Sequence, residues 1–153
     1  MGEATIRRAT AADVPAIVGL LADDVLGARR EEPGDPAYAQ AFAAIAADPH
    51  QWLVVADLDG EVVGTLQLTV IPGLSHRGTT RAQVEAVRVA ASQRGSGLGT
   101  RMLEWAVGTS RELGCGVVQL TSNASRTDAR RFYERLGFEA SHTGFKLALH
   151  PPR

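Results

Sequence analysis

The sequence predicts an α/β domain in which a mixed sheet carries helices on both faces. Three observations carry that expectation. Apolar runs of strand length alternate with longer stretches of helical apolar period, in the order β-α-α-β-β-β-α-β-α-β. Asp59-Gly60 between two such runs marks a hairpin, so part of the sheet is antiparallel. Further on, an apolar strand passes into an amphipathic helix through a turn with glycines at 95, 97 and 99. Roughly six to seven strands and about four helices are expected, in one domain over residues 1–153, because domains typically hold about 100–150 residues.

Each element follows from local chemistry. Residues 5–8 read as a first strand, and Thr10-Ala-Ala-Asp13 is a capping box, in which two side chains satisfy N–H groups that open a helix. Val14, Ile17, Val18, Leu21, Val25 and Leu26 then recur at helical spacing. Residues 27–36 are a polar break, and a second helix is expected over residues 36–47. The runs 52–56 and 62–71 flank the hairpin turn, and Pro72-Gly73 ends the second, leaving a loop over 73–80 that contains His76 and Arg77. Residues 82–89 form the next strand. The helix after the glycine turn carries Leu98, Met102, Trp105, Ala106, Thr109 and Leu113 on one side and ends at Gly114, a good C′ residue. A strand over 117–122 leads to a short helix over 128–136 with Ala129, Phe132, Tyr133 and Leu136 on one face, closed by Gly137. Residues 145–149 are expected to be the last strand.

Composition narrows the function classes. Hydrophobic residues at 44% and charged residues at 22% match an ordinary globular protein, and the net charge of −1 provides no general field for nucleic acid or an anionic membrane. No apolar signal core opens the chain, and no apolar run reaches the roughly 18–20 residues of a membrane span, so a cytoplasmic protein is expected. The single Cys115 excludes an intrachain disulfide and reads as inert packing at a strand entrance. No group of His, Asp, Glu and Cys has metal-ligand spacing, so no metal is expected.

The glycine turn is built to hold a phosphate. Gly95, Gly97 and Gly99 allow positive φ and close approach, the N–H groups of the new helix point at a ligand, and Arg94 adds a full positive charge. A Walker A loop is excluded, because Thr100 and Arg101 follow Gly99 where Lys and Ser/Thr are required. A dinucleotide loop fails as well: Thr100 stands where the third glycine belongs, and Gln119 stands where an acidic ribose ligand is expected. What remains is Arg94-x-x-Gly97-x-Gly99, together with Ala129-Arg-Arg-Phe132-Tyr133-Glu-Arg-Leu136-Gly137-Phe138 one strand and one helix later.

On these two motifs, in this order, the chain resembles the GNAT superfamily of acetyl-CoA-dependent N-acetyltransferases. The resemblance implies that the turn, through Arg94, Gly95, Ser96, Gly97, Leu98, Gly99 and Thr100, binds the pyrophosphate of acetyl-CoA. It implies that the preceding strand splays from its neighbour, so that backbone groups of Val87, Arg88 and Val89 bind the pantetheine arm and the Val87 N–H meets the thioester oxygen. Ala91 stands where many relatives have proline. Tyr133 matches the tyrosine that protonates the departing thiolate; otherwise it is a helix-face aromatic with a wet hydroxyl. Asn123 either bonds the cofactor or caps the next helix, and Arg130 and Arg131 either reach phosphates or stay solvated.

The resemblance implies Glu85 as the general base, working through water, with a solvent-facing carboxylate or one paired to Arg81 or Arg88 as the bland reading and His76 as an alternative base. An ungapped alignment on the histone-modifying branch lands instead on Gln83, which cannot be a base. Strand alternation puts Arg88 on the face opposite Glu85 and Val87. The resemblance places the acceptor pocket among the first two helices and the loop after Ile71, and Asp23, Asp24, Glu31 and Glu32 set against Arg29 and Arg30 leave the acceptor's charge open. The expected activity is direct acetyl transfer to a primary amine of a small molecule or peptide, and a homodimer is compatible with the family. The rival reading is an acyl-CoA-binding regulatory or partner-binding module without turnover.

Overall fold

The computed structural model describes residues 2–150, which fall into two compact units, one up to Gln119 and one from Leu120 on. The first opens with β1 (Thr5–Arg8), followed by α1 (Val14–Ala22), α2 (Gly27–Arg30), α3 (Ala37–Ala47), β2 (Gln51–Leu58) and β3 (Glu61–Ile71). Then come α4 (Ser75–Gly78), β4 (Arg81–Val89), α5 (Leu98–Glu112) and β5 (Val117–Leu120). The sheet runs in the order β1-β2-β3-β4-β5, with β1 to β4 antiparallel. β5 runs parallel to β4: the Gly116 N–H donates to the Thr80 carbonyl, and further along both chains Gln119 Nε2 donates to Gln83 Oε1.

The hairpin between β2 and β3 forms where Asp59-Gly60 announced it. Asp59 and Gly60 have φ of 52° and 90°, the pair of positive values a type I′ turn needs, and the Gly60 N–H donates to Asp57 Oδ1 at 2.7 Å. The capping box also forms: the Thr10 N–H donates to Asp13 Oδ2 at 2.7 Å in a short 3-10 turn that leads into α1. Arg7 on β1 then grips Asp13 through two bonds of 2.8 and 3.0 Å and Asp57 through one of 3.0 Å. One guanidinium thus joins the edge strand, the start of α1 and the hairpin.

Core packing explains why helices cover both faces. Trp52, Val54, Leu66, Leu68 and Val84 share one face by register, and most of them are buried. On that side lies α5, whose Leu98, Met102, Leu103 and Ala106 are buried. Gly64 permits the approach, because an added Cβ would lie 2.7 Å from Met102 Sδ. Leu53, Thr65 and Gln67 point the other way, toward α1 and α3.

Several expectations need correction. Among the described residues the sheet has five strands, not six to seven, and there are six α-helical segments because α2 and α4 are extra four-residue turns. In α4, His76 and Arg77 have φ of 51° and 61°, so this segment is a left-handed turn. Val25 leaves the helical stripe, since α1 stops at Ala22 and Val25 is 77% exposed. Among the described residues the last strand does not form: residues 145–149 are not assigned to a strand, and Phe145, Leu147 and Leu149 are 93%, 85% and 84% exposed. Alternation reports a face that favours burial and says nothing about whether an edge is there to receive it.

The second unit contains the end of β5 and α6 (Thr127–Arg135), which closes at Gly137 with φ of 97°. Among the described residues, no helix is long and apolar enough to cross a membrane.

The grip on Asp13 has a measurable consequence. Its carboxyl is held at about 2, below the ordinary 3.8, by the Arg7 hydrogen bonds first and Thr10 after them, against the opposing effect of burial. The stability this contributes is complete above the unfolded value and is lost as pH falls from about 4 to about 2. Thermal melts across that range should show a steep loss for the natural chain and a shallower one for Asp13→Asn.

Candidate active site

The site begins with an irregularity in β4. Thr65 faces Arg88 and Gln67 faces Glu85, so Ala86 and Val87 stand against the single residue Leu66. Two residues opposite one is a β-bulge, and it bends the strand away from strict pairing. Ala86 adopts φ of 53°, a left-handed conformation that costs a non-glycine residue roughly 1–2 kcal/mol. The inserted residue also breaks the alternation of β4. Glu85 and Arg88 therefore lie on the same face, that of Gln67 and Thr65, and the expected opposition of the two is corrected by the bulge.

Arg88 has a partner other than Glu85. Its Nε lies 3.0 Å from Asp24 Oδ2, while its Nη1 donates to the Val87 carbonyl at 2.9 Å. Asp24 accepts the Gly27 N–H through its other oxygen at 2.6 Å, and a Cβ at Gly27 would overlap the Leu21 carbonyl oxygen. The link between α1 and α2 is thus fastened to β4 just past the bulge. Asp24 serves that fastening, which removes it from the charges offered to an acceptor. Glu85 is exposed, and its cross-strand neighbour Gln67 donates from Nε2 to Gln51 Oε1 at 2.8 Å.

Past Val89 the chain turns into α5. Gly95 and Gly97 have φ of 79° and 87°, and Gly97 is the N-cap, with no side-chain cap bond. Ser96 Oγ donates to the Gln93 carbonyl at 2.6 Å and accepts the Leu98 N–H at 3.3 Å, which shapes the turn. Intrahelical bonding resumes where the Arg101 N–H reaches the Gly97 carbonyl at 3.1 Å. The N–H groups of Gly99 and Thr100 lie in the opening turn between these points, at the positive end of a fifteen-residue helix. Arg94 is exposed beside them. Positive-φ glycines ahead of a helix start with free N–H groups are a backbone arrangement suited to an anion.

Residues 17–138 match the family model described as the acetyltransferase (GNAT) family. The chain belongs to the GNAT acetyltransferases. It is 31% identical over 144 residues to the aminoalkylphosphonate N-acetyltransferase of Salmonella typhimurium, covering 94% of this chain and 90% of the relative. An L-methionine sulfoximine/L-methionine sulfone acetyltransferase of Pseudomonas paraeruginosa is 34% identical over 143 residues, covering 90% and 81%. Among solved structures, a transcriptional regulator from Bacillus halodurans matches with a TM-score of 0.92 at 44% identity, covering 95% of this chain and 99% of that one. The chain is accordingly a GNAT-type acyltransferase with acetyl-CoA as its acetyl donor.

Tyr133, Asn123 and Arg130 lie in the second unit, Cys115 and His76 in the first. Tyr133 on α6 is half-buried between Phe132 and Phe138, with ring centroids 5.2 and 5.9 Å away in edge-to-face arrangements. The spacing Phe132-Tyr133-x-x-x-Gly137-Phe138 therefore builds an aromatic clasp on the ring. Asn123 Oδ1 accepts from the Ser125 N–H at 3.0 Å and its hydroxyl at 2.6 Å, which shapes the loop before α6, while Arg126 is the helix N-cap. Arg130 pairs with Glu134 at 2.7 Å, the solvated helix pair its spacing suggests. Burial pushes the Cys115 thiol up, which favours an inert thiol. His76 is exposed on the left-handed turn.

One feature of the site was illegible in the sequence: the left-handed Ala86, since alanine gives no turn signal. Gly97→Val should weaken acetyl-CoA binding at least tenfold by calorimetric titration. Space for the side chain exists, but φ of 87° and the close approach of phosphate do not tolerate it. Unchanged affinity contradicts the nest.

Proposed function

We propose that the chain transfers the acetyl group of acetyl-CoA to a primary amine by direct attack while both substrates are bound. The bulge at Ala86 and Val87 carries this reading, because it takes the backbone of β4 out of regular pairing beside the phosphate nest. In the proposal the Val87 N–H bonds the thioester oxygen, a kind of donor worth about 10²–10³ in rate where it meets a developing oxyanion. The backbone of Val87, Arg88 and Val89 holds the pantetheine arm, and residues 94–100 hold the pyrophosphate, with Asn123 as a further contact.

Glu85 takes a proton from the incoming ammonium through water. The neutral nitrogen attacks the carbonyl carbon, the C–S bond breaks with its electron pair going to sulfur, and the nitrogen sheds its second proton to solvent. The Tyr133 hydroxyl supplies the proton that the thiolate needs. Exposure of Glu85 on the face of Gln67 and the aromatic hold on Tyr133 support these roles. The name of the Bacillus halodurans relative favours a second reading, an acyl-CoA-binding regulatory module. Acetyl-CoA binding without thiol release across a broad amine panel selects the module.

We further propose a homodimer. Phe145, Leu147 and Leu149 are exposed and alternate as the residues of a strand do. A second copy is the occupant this apolar strip suits.

Two measurements check these proposals. Tyr133→Phe should lower kcat about tenfold or more, with acetyl-CoA affinity within about twofold of the natural chain; equal kcat removes the tyrosine as acid. Phe145→Asp should move the sedimentation mass from dimer to monomer, and an unchanged mass removes this segment from the interface.

A further inference from the structure

The face of the sheet that carries Glu85 also carries a cavity of about 140 Å³ between β2, β3 and β4 below and α1 and α3 above. Ala86, the left-handed residue of the bulge, is part of its wall, so the cavity opens beside the backbone where acetyl transfer is proposed. Residues 72–80 are not part of its lining.

The chemistry of the wall is one-sided. Leu21, Phe42, Ile45 and Leu53 present only carbon. The polar groups among the lining are already engaged by the protein itself. The Tyr38 hydroxyl donates to Glu31 Oε1 at 3.1 Å and accepts the Glu32 N–H at 2.9 Å, leaving its ring toward the space. The Thr65 hydroxyl donates to the Val54 carbonyl at 2.9 Å, and the Gln67 amide nitrogen donates to Gln51. Arg88, the cation nearest the bulge in sequence, is paired with Asp24, and Arg30 lies 3.4 Å from Glu31. The lining residues include no cation, and beyond these bonds the side-chain donor they leave is the second N–H of the Gln67 amide. A phosphonate, phosphate or carboxylate buried there would lack the charged partners it needs.

We propose that the acceptor is a primary amine on a compact apolar body, a branched alkyl or single aromatic ring, seated in this cavity with its nitrogen toward Glu85. The proposal rests on the acetyltransferase reading above and adds the substrate class. Size agrees: apolar cavities of about 150 Å³ lined by Leu, Ile and Phe stay dry and take up benzene. Polarity beside Gln67, a residue of the lining, agrees as well. Gln67 and Glu85 are cross-strand partners, and the Gln67 amide oxygen and the Glu85 carboxylate are both acceptors, which suits an ammonium.

The experiment measures kcat/KM by thiol release for phenethylamine and isoamylamine against 2-aminoethylphosphonate and glucosamine 6-phosphate. The apolar amines should be preferred at least tenfold. Phe42→Ala should raise KM for phenethylamine about tenfold, and Phe42→Asp should raise it further, each with acetyl-CoA affinity within about twofold of the natural chain as a check on folding. Preference for the phosphorylated or phosphonylated amines, or a Phe42→Ala enzyme with unchanged KM, overturns the apolar acceptor and leaves acetyl transfer standing. Thiol release with no amine in the panel, against intact acetyl-CoA binding, overturns the acceptor class and the acetyltransferase reading together.

Discussion

A single extra residue in β4 organises this molecule. With Ala86 in the left-handed region, two residues oppose Leu66, and the strand departs from its neighbour at the point where the proposed function places the thioester. The strain of roughly 1–2 kcal/mol persists because both flanks are held. On one side, Ala82 and Val84 are buried in the sheet. On the other, Arg88 is fastened to Asp24, and the Ala90 N–H is bonded to the Val63 carbonyl at 2.8 Å. Regular structure on either side of an irregular residue is how a sheet keeps such a feature.

The same insertion links donor and acceptor chemistry. By restoring Arg88 to the face of Glu85, it lets the strand tie down the segment between α1 and α2, and that segment continues into the helices that roof the apolar cavity. The strand then runs into a turn whose positive-φ glycines leave the start of α5 uncapped. A charged nest, a bent backbone and an apolar chamber therefore follow one another along a short stretch of chain and the elements packed on it. In the proposed reaction, polyanion, thioester and hydrocarbon each find the surface their chemistry requires.

Much of this was legible in the sequence where local chemistry decides. Asp59-Gly60, Thr10 with Asp13, and Gly97 ahead of an amphipathic helix specify backbone geometry through their own side chains or the lack of one, and each forms as read. Residues 94–100 and the pattern Phe132-Tyr133-x-x-x-Gly137-Phe138 were legible for the same reason. The bulge was not, because Ala86 takes a conformation that only its neighbours' pairing enforces, and alternation counted across it puts Arg88 on the wrong face. Phe145, Leu147 and Leu149 mislead differently: their period is that of a strand, but pairing depends on an edge no local pattern encodes. The apolar cavity is a tertiary product of Leu21, Phe42 and Leu53, residues far apart in the chain.

Backbone amide NMR during titration with acetyl-CoA tests most directly whether the bulge and the nest act as one donor site. The largest shifts should fall on Val87 to Val89 and on Gly95 to Thr100, both groups moving with a single affinity. Shifts confined to other segments, or two groups titrating independently, would contradict it.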